Sequence, residues 1–463
     1  MILSVKNKET YTSTRNACKL CSPLGASLVF KGIEGCIPMI HGSQGCATYI
    51  RRYMISHYKE PVDIASSNFS EETTIYGGNK NFCTGIDNVR KMYNPAVIGI
   101  ASTCLSETIG EDIPRLIKEY SQLHKDESIP LFIHASTPSY QGSHMDGFHE
   151  TVLSTVSTLA KQTEISKQVN IFSGFISPAD IRYIKEICED FELDYMVFPD
   201  YSDTLDNPHW KDYQLIPEGG TPVSKLQNSA NAIASIEFGR IMNKVVSSSK
   251  SSTAHTAGEW LQNKYSVPNT RMLLPIGIDA SDAFFKTLET ISGKPTPLYH
   301  TRERGRLIDA YVDGHKYVFG KRAIVYGEED LVLSIVSFLH EIGIETVLAG
   351  SGGESNSLKK EIDACTNSAY PNMIIMNNLD FETINQMADD LQPDIFIGNS
   401  KGYYIARRLK KPIVRIGFPI HDRFGAQRLH HVGYRGTQEL FDRIVNALIE
   451  YKQENSPVGY KYI

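Results

Sequence analysis

Cysteine thiolates beside glycine and serine are soft donors that backbone N–H groups can approach closely. The chain carries such positions at Cys21, Cys46 and Cys104. Cys21 opens the run Cys21-Ser22-Pro23-Leu24-Gly25-Ala26, Cys46 closes His41-Gly42-Ser43-Gln44-Gly45-Cys46, and Cys104 follows the apolar run 96–101. Turns of small residues let a chain wrap something bulky, so these three are the candidate ligands of an inorganic group. An iron–sulfur cluster normally takes four cysteines. The deficit falls to Cys18, in the pair Cys18-Lys19-Leu20-Cys21, or to a partner chain. A partner with a similar set would suit a larger cluster shared across a subunit interface, which makes the chain an obligate heteromer.

Weaker candidates surround this set. The Ser139 hydroxyl could be a hard extra ligand to oxidised iron, against the plain reading of a turn serine after Pro138. His41 could bond a cluster sulfide, or serve its own turn. Alone, the C-x-x-C pair is a redox motif, half a zinc site or two unrelated thiols, and no second C-x-x-C completes a four-cysteine zinc site. Cys36, Cys83, Cys188 and Cys365 read as buried free thiols. The pairs His430-His431 and His144 with His149 lack framing by cysteine or carboxylate and read as structural. The loop 417–423 ends a strand in a proline turn with polar groups; it lines a cleft or contacts a partner subunit, and the contact is the expectation.

Several classes are excluded. Eight cysteines in 463 residues are too few for a disulfide scaffold. A net charge of -6 gives no footprint for nucleic acid. No run is long enough for a membrane span and the N-terminus has no apolar signal region, so the expected location is the cytoplasm. No G-x-x-x-x-G-K-[ST] occurs, so the chain shows no phosphate loop of its own, and Gly350-Ser351-Gly352-Gly353 is only a turn.

The elements that must hold the cysteines follow from periodicity. Apolar positions between Leu24 and Ile33 predict a helix ending at Gly32 or Gly35, with Cys21 at its start, where the helix dipole favours a thiolate. A second helix is expected over 47–58, a buried strand over 96–101, a helix over 112–120 capped by Asp112, and a strand over 130–135. Ligands collect beyond the carboxyl ends of strands in open α/β sheets, so Cys104 and Ser139 should meet. A second strand–helix–strand unit covers 169–198, followed by a serine-rich loop at 247–256, a strand at 272–276 and a helix at 281–291. A helical stripe at Leu307, Ile308, Tyr311 and Val312 connects to a third unit with strands at 322–326, 345–349, 373–376, 394–397 and 413–416. The fold class is α/β with mainly parallel sheets flanked by helices, divided at 1–165, 166–300 and 301–463.

The cysteine motifs, with Ser102-Thr103-Cys104-Leu105-Ser106-Glu107, Thr137-Pro138-Ser139, Pro217-Glu218-Gly219-Gly220-Thr221 and Ile416-Gly417-Phe418-Pro419-Ile420, resemble the β-type subunits of nitrogenase component 1. The resemblance implies three Rossmann-like domains and an α-type partner in an α2β2 heterotetramer. It further implies that Cys21, Cys46 and Cys104, with Ser139, bind half of an eight-iron P-cluster at the interface. An ATP-dependent iron protein would donate electrons, and the partner would hold the active-site cofactor. The stretch 48–78 is similar to the scaffold subunit on which the nitrogenase cofactor is assembled, where a 4Fe-4S cluster is the alternative. The short lead before Cys21 is similar to vanadium and iron-only nitrogenases, and nitrogenase-like reductases of other substrates share the family.

Overall fold

The computed structural model describes residues 16–241 and 256–459. The serine-rich loop expected at 247–256 lies outside the described residues except for Thr256, which caps the helix Ala257–Tyr265.

The first sheet contains β1 (Cys36–His41), β2 (Ala65–Ser66), β3 (Val97–Ser102) and β4 (Leu131–Ala135), in the order β2-β1-β3-β4 and parallel throughout. Strands β1 and β3 are apolar without alternation because helices cover both faces, and every residue of each is buried. The chain leaves β1 toward one edge and returns to β3 on the other side, which opens a crevice at their carboxyl ends, where His41 pairs with Ser102. The covering helices are α1 (Ser22–Lys31), α2 (Gln44–Tyr58), α3 (Glu71–Tyr76), α4 (Asn79–Tyr93), α5 (Cys104–Thr108), α6 (Ile113–Leu123) and α7 (His144–Leu159). Asp112 caps α6 as expected, accepting from the Arg115 N–H. The short α5, absent from the sequence reading, starts at Cys104 itself.

Two further parallel sheets follow. One holds β5 (Val169–Phe172), β6 (Tyr195–Phe198), β7 (Ala234–Phe238) and β8 (Asn269–Met272), in the order β6-β5-β7-β8. The other holds β9 (Arg322–Gly327), β10 (Glu345–Ser351), β11 (Ile374–Met376), β12 (Ile395–Gly398) and β13 (Ile413–Arg415), in the order β11-β10-β9-β12-β13. The strand expected at 272–276 is displaced to β8. Pro275 has no N–H for a ladder, and buried Leu274 and Ile276 turn toward the joint between sheets.

Helix α1 is buried along its whole length. It meets α7 backbone to backbone: a Cβ on Gly25 would lie 1.8 Å from the His144 carbonyl oxygen, and one on Gly147 would lie 2.0 Å from that of Ser22. At its other end the Gly32 carbonyl accepts from the Thr221 N–H at 2.8 Å, joining α1 to the second sheet's unit.

The loop 417–423, expected to contact a partner, turns its apolar half into a joint inside the chain. Phe418 and Ile420 are buried, and the Ile420 N–H donates to His57 Nδ1 at 2.8 Å. The reason is composition: Phe418, Pro419 and Ile420 supply apolar surface that caps the first sheet's helix α2, while His421 and Arg423 alone are left exposed at the loop's polar end.

Substituting Gly25→Ala or Gly147→Ala should destabilise the chain by about 1–3 kcal/mol through overpacking. Gly305→Ala, whose added Cβ meets nothing within 4 Å, should be neutral or stabilising. Urea unfolding of the three variants checks this ordering.

Candidate metal centre

Each candidate ligand stands where an element begins. Cys21 is the N-cap of α1, Cys46 lies in the first turn of α2 behind the N-cap Ser43, and Cys104 opens α5 behind Thr103. Thr103 forms a capping box with Ser106, and its hydroxyl also donates to the His41 carbonyl at 3.1 Å. That bond ties the turn after β3 to the turn after β1. Gly42 permits the approach, since a Cβ there would sit 2.4 Å from Thr103 Oγ1.

The structure brings Cys104 and Ser139 together: the Ser139 N–H donates to Cys104 Sγ at 3.1 Å. Ser139 Oγ accepts from the Ser22 N–H at 3.2 Å, which brings the Cys21 turn to the same place. The Ser139 hydroxyl therefore has a role in the fold itself. Glu107 stabilises the junction from below, with Oε1 accepting from Ser102 Oγ at 2.5 Å and Ser136 Oγ at 2.6 Å. Thr137 reinforces it by donating its N–H to Ser102 Oγ and its hydroxyl to the Ser102 carbonyl.

The thiols also feel one another. Burial pushes Cys21 up to about 11, and the neighbouring Cys46 and Cys104 add to the rise against the Leu24 N–H, which lowers it. Burial and Cys104 raise Cys46 as well. The sequence-based expectation that the α1 dipole would favour a Cys21 thiolate is thus corrected: desolvation outweighs the dipole. Cys46 is exposed while Cys21, Cys104 and Ser139 are half-buried, so the set opens to one side. Among the described residues, no three histidine, cysteine, aspartate or glutamate side chains converge on a single-ion site. A multi-iron cluster asks for something different, with each thiolate on a separate iron. The soft donor set, its open side and its N–H-lined turns fit such a group.

Other candidates resolve differently. Cys18 is buried with Tyr326, Leu379 and Phe381 in the core of the third sheet, so the C-x-x-C pair is split between two packing clusters. The His41 ring is buried edge-on to Phe69 and Phe82, with Nε2 3.4 Å from Glu111, and burial lowers its pKa against the opposing pull of Glu111. It belongs to the interior and not to the thiol side. Cys36 and Cys188 are buried as expected, whereas Cys83 and Cys365 are only half-buried. His149 and His431 lie inside the fold: burial pulls His149 down to about 3, and His431 Nδ1 is 3.0 Å from Asp180. Sequence reasoning missed Glu107 and Ser102; the Thr103-x-x-Ser106 capping pattern was the signal that a helix begins at Cys104.

These features define a three-sheet α/β chain that presents sulfur donors at the carboxyl edge of its first sheet. The chain belongs to the family of nitrogenase component 1 type oxidoreductases, whose sequence model matches residues 21–449, and within it is a β-type subunit. It is 36% identical to the nitrogenase molybdenum-iron protein beta chain of Clostridium pasteurianum over 94% of this chain and 93% of that one. It is 33% identical to the nitrogenase vanadium-iron protein beta chain of Trichormus variabilis, over 98% of both chains. A solved chain titled "Nitrogenase Cp1 at pH 6.5" superposes with a TM-score of 0.93 at 32% identity, covering 99% of this chain and 98% of the other. No helix among the described residues is long and apolar enough to cross a membrane.

Replacing Glu107 with Ala leaves the buried Ser102 hydroxyl and the half-buried Ser136 hydroxyl without their shared acceptor and should cost about 1–3 kcal/mol in urea unfolding. In metal-free chain at pH 8, Cys21 with a thiol near 11 is thiolate in roughly one part per thousand. Its iodoacetamide labelling should therefore rise with each pH unit up to about 11, and a plateau near pH 9 would contradict this environment.

Proposed function

We propose that this chain is the β-type subunit of a component 1 complex and carries half of an interfacial P-cluster-type iron–sulfur cluster. Cys21, Cys46 and Cys104 are its thiolate ligands, Ser139 is an additional oxygen ligand, and an α-type partner in an α2β2 heterotetramer supplies the remainder. The observation that carries this reading is the meeting of the Cys21 and Cys104 turns at Ser139 through the Ser139–Cys104 and Ser139–Ser22 hydrogen bonds, with Cys46 near enough for its sulfur to raise the Cys21 thiol. The molybdenum-iron and vanadium-iron beta chains among its relatives support it.

When bound, the cluster would accept electrons from an ATP-dependent iron protein and pass them to the cofactor in the partner. This chain's residues supply the positioning. Three turns fix the thiols, Glu107 locks the Cys104 turn to the turn that carries Ser139, and the protonated state of Cys21 means that ligation releases a proton there. We divide the chain into three domains at 1–165, 166–300 and 301–463, one for each sheet, although the last division cuts the helix Leu298–Val318. Reduced thiols fit a cytoplasmic location.

The test is anaerobic co-purification with the α-type partner, with iron counting and electron paramagnetic resonance on reduced and oxidised samples. About eight irons per interface, with oxidation signals unlike those of a four-iron cluster, are expected. A single four-iron cluster without substrate reduction would assign the chain to cofactor assembly instead. Cys46→Ala should abolish cluster assembly while shifting unfolding by no more than about 0.5 kcal/mol, since Cys46 is exposed. Unchanged iron in that variant would defeat the assignment.

A further inference from the structure

His144 opens α7 and grips the residue before Cys21 from two sides. Its ring Nδ1 accepts from the Leu20 N–H at 3.2 Å, and its own backbone N–H donates to the Leu20 carbonyl at 2.9 Å. A nitrogen that accepts an N–H holds no proton, so the ring proton sits on Nε2, which faces Glu328 Oε1 at 3.4 Å. Both side chains are almost fully buried, at 5% and 4% exposure. Glu328 Oε1 also accepts from the Phe418 N–H at 3.3 Å, while its Oε2 has no hydrogen-bond partner among the described residues. On the far side of Cys21, Ser22 Oγ donates to the Ser143 carbonyl at 2.8 Å.

A buried carboxylate that fixes the tautomer of a histidine is the arrangement by which an outer group orients a ligand. Here the histidine holds the backbone beside the thiol rather than a metal. The contact spans the chain: Glu328 belongs to the third sheet's unit, His144 to α7, and Leu20 to the turn of Cys21.

We propose that His144, oriented by Glu328, is a positioning residue that sets where the Cys21 thiol stands. The inference rests on the reading of Cys21 as a cluster ligand, but its first test needs no metal. The full chain with its partner is stripped of iron by chelation and labelled with iodoacetamide, and Cys21 and Cys46 are quantified by peptide mass spectrometry. His144→Ala should raise Cys21 labelling relative to Cys46 by about tenfold, the scale of one buried hydrogen bond.

Asparagine places an acceptor where Nδ1 stands, and glutamine reaches toward Glu328 without one. His144→Asn should therefore restore the unmodified pattern and His144→Gln should not. Glu328→Ala should raise Cys21 labelling, and Glu328→Gln, which keeps the acceptor, should leave it unchanged. In the iron-loaded complex the cluster's paramagnetic spectrum should change in the Ala and Gln variants at position 144 and recover with Asn.

Unchanged Cys21 labelling in His144→Ala, or identical behaviour of Asn and Gln, would overturn the proposal. If His144→Ala shows no cooperative melt, the Asn and Gln pair decides. An unmodified complex without iron would defeat the cluster assignment and not this one, which the labelling then settles alone.

Discussion

The contact between α1 and α7 at Gly25 and Gly147 determines where Cys21 can be. Helices packed through side chains stand 8–10 Å apart, and at that distance the hydrogen bonds flanking Cys21 would not reach. Without Cβ atoms at the crossing, the first turns of the two helices meet, and Leu20 and Ser22 bond directly to His144, Ser143 and Ser139. Cys21 is thus held from both neighbours before any metal is considered. Ser139 in turn fixes Cys104, so one close crossing propagates to two thiols and a hydroxyl.

The rest of the site is a property of the first sheet's edge. His41 and Ser102 end neighbouring strands at the crevice between β1 and β3, and the helices bearing Cys46 and Cys104 start just beyond them. The turns are organised by hydroxyls and one carboxylate rather than by charge on sulfur. Burial and neighbouring sulfur disfavour ionisation of Cys21 and Cys46, so a fold that depended on their thiolates would oppose itself. Hydrogen bonds that do not need a charge on sulfur avoid that conflict and leave the sulfurs free to lose protons when a cation arrives.

Local chemistry made much of this legible in sequence. Glycines and prolines punctuate α1, α2, β3 and the third sheet's alternation, and the small residues beside Cys21, Cys46 and Cys104 marked the turns that the fold gathers. What escaped were the long-range choices. Nothing local tells that Cys18 enters the core of the third sheet while Cys21, three residues on, stays with the first, or that the His41 ring turns inward to Phe69 and Phe82. The loop 417–423 carries a polar end that suggests an exterior contact, and only the packing of Phe418 and Ile420 against His57 shows its apolar half turned inward. Likewise, no periodicity could have singled out His144 from His149, since both lie on one helix.

The motifs outside the cysteine turns then take on a common physical sense. The Pro217 to Thr221 run meets the end of α1, where Gly220 takes a φ of +97° and a Cβ would lie 2.5 Å from the Glu34 nitrogen. The Ile416 to Ile420 run meets the end of α2 through His57, which burial holds neutral at about 3 so that Nδ1 can accept the Ile420 N–H. Each run clamps the carboxyl end of a helix whose amino end bears a candidate ligand. A helix fixed at one end only could rock and carry its cysteine with it; fixed at both, it makes the sulfur's position a consequence of the packing of all three sheets. The second and third units therefore contribute to the site without supplying any of its donors, because they set the rigidity with which the first unit presents them.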